Sequence, residues 1–79
     1  MTVRAKFKVT STTKREHWDK TKGPIHEITL QPVASGSLEN EEFYAATPCG
    51  QIQLGTINDA AAQQFALGAE IYVDFTAAQ

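Results

Sequence analysis

The sequence predicts a mainly β domain, a small curled antiparallel sheet or an oligonucleotide-binding-like barrel with one short helix before the last strand. Three observations carry this. Val3, Ala5, Phe7 and Val9 alternate with Arg4, Lys6, Lys8 and Thr10, the two-residue period of a strand with one dry and one wet face. Ile71, Val73 and Phe75 alternate in the same way with Glu70, Tyr72 and Asp74 near the other end. Between them, short apolar runs are cut by Gly, Pro, Ser and Asn, with helical spacing only around Ala61, Ala62 and Phe65.

The first strand continues in β-prone composition through Thr10–Thr13. The polar stretch Lys14–Gly23 then reads as a long hairpin connection or a strand extension, ending at Thr21-Lys22-Gly23-Pro24. Ile25–Gln31 forms the second strand, with His26, Ile28 and Leu30 on one face, and Pro32 with Ala34-Ser35-Gly36-Ser37 closes it. Glu39–Glu42 is an acidic approach with room for a brief helical turn. Phe43–Thr47 and Gln51–Leu54 read as two short strands joined by Pro48-Cys49-Gly50. Asn58 caps a helix running to about Ala66, because its side-chain oxygen accepts from unpaired backbone N–H groups and Asp59 suits the positive end. Gly68 can terminate that helix. Long strands with one apolar face must curl or find a cover, so a barrel and a helix-covered α+β sheet are the two architectures in view.

Residues 1–79 make one domain, and a chain of this length removes only about 60% of its extended surface on folding. Association with further copies is therefore an expected source of stability. The lone Cys49 excludes an internal disulfide, and with no apolar leader the chain fits a reducing compartment. No stretch reaches the eighteen or so apolar residues that a membrane helix requires, so no membrane partner is expected.

Charge is divided along the chain. Residues 1–22 carry seven positive and two negative side chains, a net of +5; residues 23–79 carry none and seven, a net of -7. All the cations, Arg4, Lys6, Lys8, Lys14, Arg15, Lys20 and Lys22, therefore lie in the first strand and the connection after it. Arg4, Lys6 and Lys8 repeat every second residue, about 6.6–6.8 Å apart along a strand, close to the repeat of a single-stranded phosphate backbone. Lys14, Arg15, Lys20 and Lys22 extend the path, and Trp18 offers a plane on which a base can stack. These eight residues form the candidate site for nucleic acid or another anion. The same pattern has ordinary explanations. Alternating Lys and Arg solubilise a strand face and protect an edge, Trp18 can cover the end of the core or meet a protein partner, and Glu70 and Asp74 can pair with Arg4, Lys6 or Lys8 if the last strand neighbours the first.

Enzymatic chemistry finds little support. His17, His26 and Cys49 lack the close spacing of a zinc site, and Cys49 has no basic neighbour to activate its thiol. Glu39, Glu41 and Glu42 sit in a polar approach that needs no chemical role. No phosphate-cradling or dinucleotide motif is present, so neither metal nor cofactor is expected.

The run Phe43–Gly55, with Ala60–Phe65, Gly68–Phe75, Lys6–Thr10 and Lys14–Trp18, resembles small uncharacterised proteins encoded by tailed bacteriophages. That resemblance implies an accessory role in the cytoplasm of an infected bacterium and assigns no site. Two functions follow as expectations: a non-catalytic accessory protein that binds single-stranded nucleic acid through its basic hairpin, or a protein-binding or self-assembling module that meets an acidic surface and interferes with a host factor. A structural virion component is a third, disfavoured by the lack of a long apolar arm.

Overall fold

The computed structural model describes residues 2–78. Four strands, β1 (Thr2–Arg15), β2 (Ile25–Pro32), β3 (Ile52–Thr56) and β4 (Glu70–Thr76), form one antiparallel sheet in the order β3-β2-β1-β4. It is curled into a half-barrel, with β3 and β4 at its two edges. Two short helices, α1 (Leu38–Tyr44) and α2 (Asp59–Ala62), lie in the connections.

The expected alternation builds the core. Ala5, Phe7 and Val9 of β1 and Ile28 and Leu30 of β2 are buried on one face, with Ile52, Phe65, Ala69, Ile71 and Val73 packed against them. Each of the larger side chains contributes about 1.5–3 kcal/mol on full burial, and there are few of them. Val3, Phe43, Leu54, Ile57, Leu67 and Phe75 stay substantially exposed around this small centre.

β1 is long enough to pair with two partners in turn: residues 2–8 with β4 and residues 7–15 with β2. A bulge separates its halves. Val9 faces Leu30 and Ser11 faces Thr29, leaving Thr10 as the extra residue, its hydroxyl donating to the Thr29 carbonyl at 3.3 Å. An extra residue inverts the alternation beyond it. Arg15 consequently shares the face of Arg4, Lys6 and Lys8, while Lys14, opposite His26, lies on the core face.

Two expectations need correction. Phe43 and Tyr44, read as the start of a strand, complete α1. Ser37 caps this helix by accepting from the Asn40 N–H at 3.2 Å, and Ala45 ends it in the left-handed conformation at φ 54°. Tertiary contact outweighs the β propensity of two aromatic residues here, because α1 fills the place beside β1 that β2 leaves at Pro32. The second correction concerns α2, which stops at Ala62 instead of Ala66. Gln64 and Phe65 donate to carbonyls three residues back, tightening the chain. The Gly68 N–H donates to the Val9 carbonyl, and the Val9 N–H to the Ala69 carbonyl, each at 2.9 Å. Gly68, at φ 87°, serves as the turn into β4, a conformation that suits glycine.

Candidate functional site

The seven cations fall into two groups. On the polar face, β4 brings Asp74, Tyr72 and Glu70 opposite Arg4, Lys6 and Lys8. Arg4 makes a two-pronged contact with Asp74, Nε to Oδ1 at 2.7 Å and a second guanidinium nitrogen to Oδ2 at 3.1 Å. That contact raises the Arg4 pKa and holds the Asp74 carboxyl below its ordinary value. Lys6 lies 3.9 Å from Glu70. Both Arg4 and Lys6 sit over the Tyr72 ring, 4.8 and 5.5 Å from its centre. Glu39 of α1 joins from the other side of β1. Its carboxyl is held low by its own backbone N–H first, then by the Tyr72 hydroxyl, Lys6 and Arg4. The first half of the basic stripe is therefore occupied by the chain's own carboxylates, and of its three cations only Lys8 has no carboxylate within salt-bridge distance among the described residues.

The second group surrounds the hairpin end. A groove of about 520 Å³ there is lined by Lys14, Arg15, Glu16, His17, Lys20, Lys22 and Pro24, four of the seven cations in one place. Arg15 is held by Glu27 at 2.9 Å and Lys20 by Glu16 at 3.5 Å, whereas Lys14 and Lys22 have no carboxylate within reach among the described residues. Exposed pairs of this kind are worth about 0–1 kcal/mol, so an incoming polyanion can displace them.

Local turn chemistry shapes the connection. The Asp19 carboxylate accepts from the Thr21 hydroxyl at 2.7 Å and its N–H at 3.0 Å, the first of these being the main reason its pKa lies below the ordinary value. Lys22 N–H donates to the Asp19 carbonyl, and Asp19 N–H to Nδ1 of His17. Trp18 projects from this turn 86% exposed, its ring 5.3 Å from that of His17. A tryptophan so placed contributes nothing to the core, which removes core cover as its explanation.

A second cleft, of about 550 Å³, lies on the core face between the hairpin and α2. Lys14, His26 and Asp59 line it, with His26 Nε2 2.6 Å from Asp59 Oδ1. Glu27 and Asp59 offset Lys14 there, so this cleft lacks the positive excess of the hairpin groove. Among the described residues no three His, Cys, Asp or Glu side chains gather in metal-binding reach, and no helix is long and apolar enough to cross a membrane. Cys49 is exposed and unpaired.

Comparison with protein-family models, curated proteins and solved structures gives no match.

Sequence reasoning put all eight residues in one candidate surface; the structure gathers Lys14, Arg15, Lys20 and Lys22 with Trp18 at the hairpin end and sets Arg4, Lys6 and Lys8 apart along the strand face. Sequence reasoning did not find Asn40. This buried side chain accepts from the Lys6 N–H at 2.6 Å and donates to the carbonyls of Lys6 and Val33 at 2.8 and 2.9 Å. It holds the strand on which Arg4, Lys6 and Lys8 are carried.

Proposed function

We propose that this chain is a non-catalytic binding module that takes single-stranded nucleic acid at the end of its hairpin. The observation that carries the reading is the joint placement of Lys14, Arg15, Lys20 and Lys22 around one groove with Trp18 exposed beside them. Cations position a phosphate backbone without regard to sequence, and an exposed aromatic ring supplies a stacking plane of about 1–3 kcal/mol per base. Lys8 on the strand face extends the track, while Arg4 and Lys6 chiefly serve the β1–β4 pairing. The resemblance to small phage-encoded proteins supports an accessory role inside an infected bacterium.

A titration of labelled DNA and RNA oligonucleotides across a range of salt tests this. The affinity is expected to fall with a logarithmic slope of about 0.7 per phosphate neutralised. Tryptophan emission changes on binding, and Trp18→Ala weakens the complex by about 1–3 kcal/mol. Replacing Lys20 and Lys22 by Gln reduces both affinity and slope, and Arg4→Gln leaves them nearly unchanged. Absence of a complex with either polymer at low salt defeats the reading.

A second reading, a protein-binding module acting on a host factor, draws on the exposed Val3, Phe43 and Phe75. It predicts that Phe43→Ser abolishes partner binding while Lys20→Gln leaves it in place.

A further inference from the structure

One edge of the sheet presents a row of backbone groups to solvent. The Lys6 N–H and carbonyl are turned away from β4, toward Asn40 and Val33. Lys6 and Tyr72 are therefore a non-hydrogen-bonded pair, and Tyr72 turns its own N–H and carbonyl outward. Val9, bonded to Gly68 and Ala69, fixes the same alternation at the far end. By that alternation the backbone groups of Glu70 and Asp74 also face the open side.

β4 carries none of the usual protections of such an edge. It has no Lys, no Pro and no bulge, and its two carboxylates are already matched by Arg4 and Lys6. Its own Phe75 and Phe43 of α1 are 44% and 46% exposed, their rings stacked with centres 6.1 Å apart.

We infer that two copies of the chain join along β4, antiparallel, about a two-fold axis at Val73. In this register Tyr72 and Asp74 of one copy exchange both backbone hydrogen bonds with Asp74 and Tyr72 of the other. On the core face Val73 meets Val73 and Ile71 meets Phe75, so the apolar layer runs on across the axis. Val73 is the midpoint of Glu70–Thr76, so the register centred there pairs the strand along its full length. The adjacent register centred on Tyr72 sets Glu70 against Asp74 twice, like charges directly opposite, and is disfavoured by charge. Pairing of β4 with β3 of another copy is head-to-tail and repeats from copy to copy, whereas the two-fold arrangement uses the β4 edges of both copies in one contact and stops at two. The inference is independent of the hairpin reading.

Sedimentation equilibrium from micromolar to millimolar concentration, with amide exchange read by NMR, tests it. The expected mass is twice the 8.6 kDa of the chain. Tyr72→Pro deletes an outward N–H while sparing the bonds to β1, and is expected to be monomeric; Tyr72→Ala keeps that N–H and stays dimeric. Should the proline variant not fold, the unsubstituted protein still decides: exchange protection at the Tyr72 and Asp74 amides rises with the dimer fraction. A single-chain mass at every concentration, an open-ended series of masses, a folded proline variant that still dimerises, or a dimer whose Tyr72 and Asp74 amides exchange without protection each overturns the inference.

Discussion

Asn40 stands in for a strand. β2 ends at Pro32, and the Lys6 backbone beyond it is satisfied by one side-chain amide, with the Val33 N–H adding a bond of 3.1 Å to the same Lys6 carbonyl. An amide suits this position because it supplies an acceptor and two donors from one planar group. Asn40→Ala leaves the Lys6 N–H without a partner and is expected to lower stability by about 1–3 kcal/mol, read from the midpoint of urea unfolding. Asn40→Asp keeps the acceptor but turns a second acceptor toward the Lys6 and Val33 carbonyls, so it is expected to destabilise as well. A midpoint unchanged in both variants rules out this role. Nothing in Leu38-Glu39-Asn40-Glu41 announces it, since an asparagine two residues into an acidic helix has the same local pattern whether its amide meets water or a strand.

Among the elements, those with strong periodicity were legible. β1, β2 and β4 follow from alternation, and the Asn58 cap from a side-chain oxygen set before unpaired N–H groups; it accepts from the Ala61 N–H at 3.1 Å. The elements that escaped are those decided by distant partners. Phe43 and Tyr44 enter a helix because that helix packs on β1. Lys14 leaves the basic face because a bulge at Thr10 inverts the parity, and no residue type marks that bulge. The candidate site was legible to the same degree: its members were evident from charge and from an isolated Trp18, but their division into a self-paired strand face and a more open hairpin end required the register. α1 offers a test at this scale, because its cap and its peg are separate residues. Ser37→Ala removes the cap and is expected to cost about 0.5–2 kcal/mol. The Lys6 amide, bonded to Asn40 on that helix, then exchanges faster, while the Leu30 amide in the central pairing changes only with global stability. An unaltered Lys6 rate in that variant dissociates the cap from the strand.

The whole molecule folds its charge division back on itself. Residues 1–22, of net +5, and the remainder, of net -7, meet where β4 lies along β1, and the contacts are between neighbouring strands. This arrangement has a signed dependence on pH. Asp74, held low chiefly by the Arg4 hydrogen bond, and Glu39, held low chiefly by its own backbone N–H, both titrate below their ordinary values of 3.8 and 4.5. A carboxyl whose folded pKa is depressed stabilises the fold fully above its unfolded value, and that contribution is lost as pH falls toward the folded one. The urea midpoint is therefore expected to be nearly level between about pH 7 and pH 5 and to drop below about pH 4.5. Asp74→Asn removes one titrating group and flattens the drop, at the expense of a lower midpoint near neutrality. If the acid branch keeps its full depth in that variant, the β1–β4 ion pair has no share in it. Acid also releases Arg4 from Asp74, so at low pH the strand face regains positive charge that it keeps covered at neutrality.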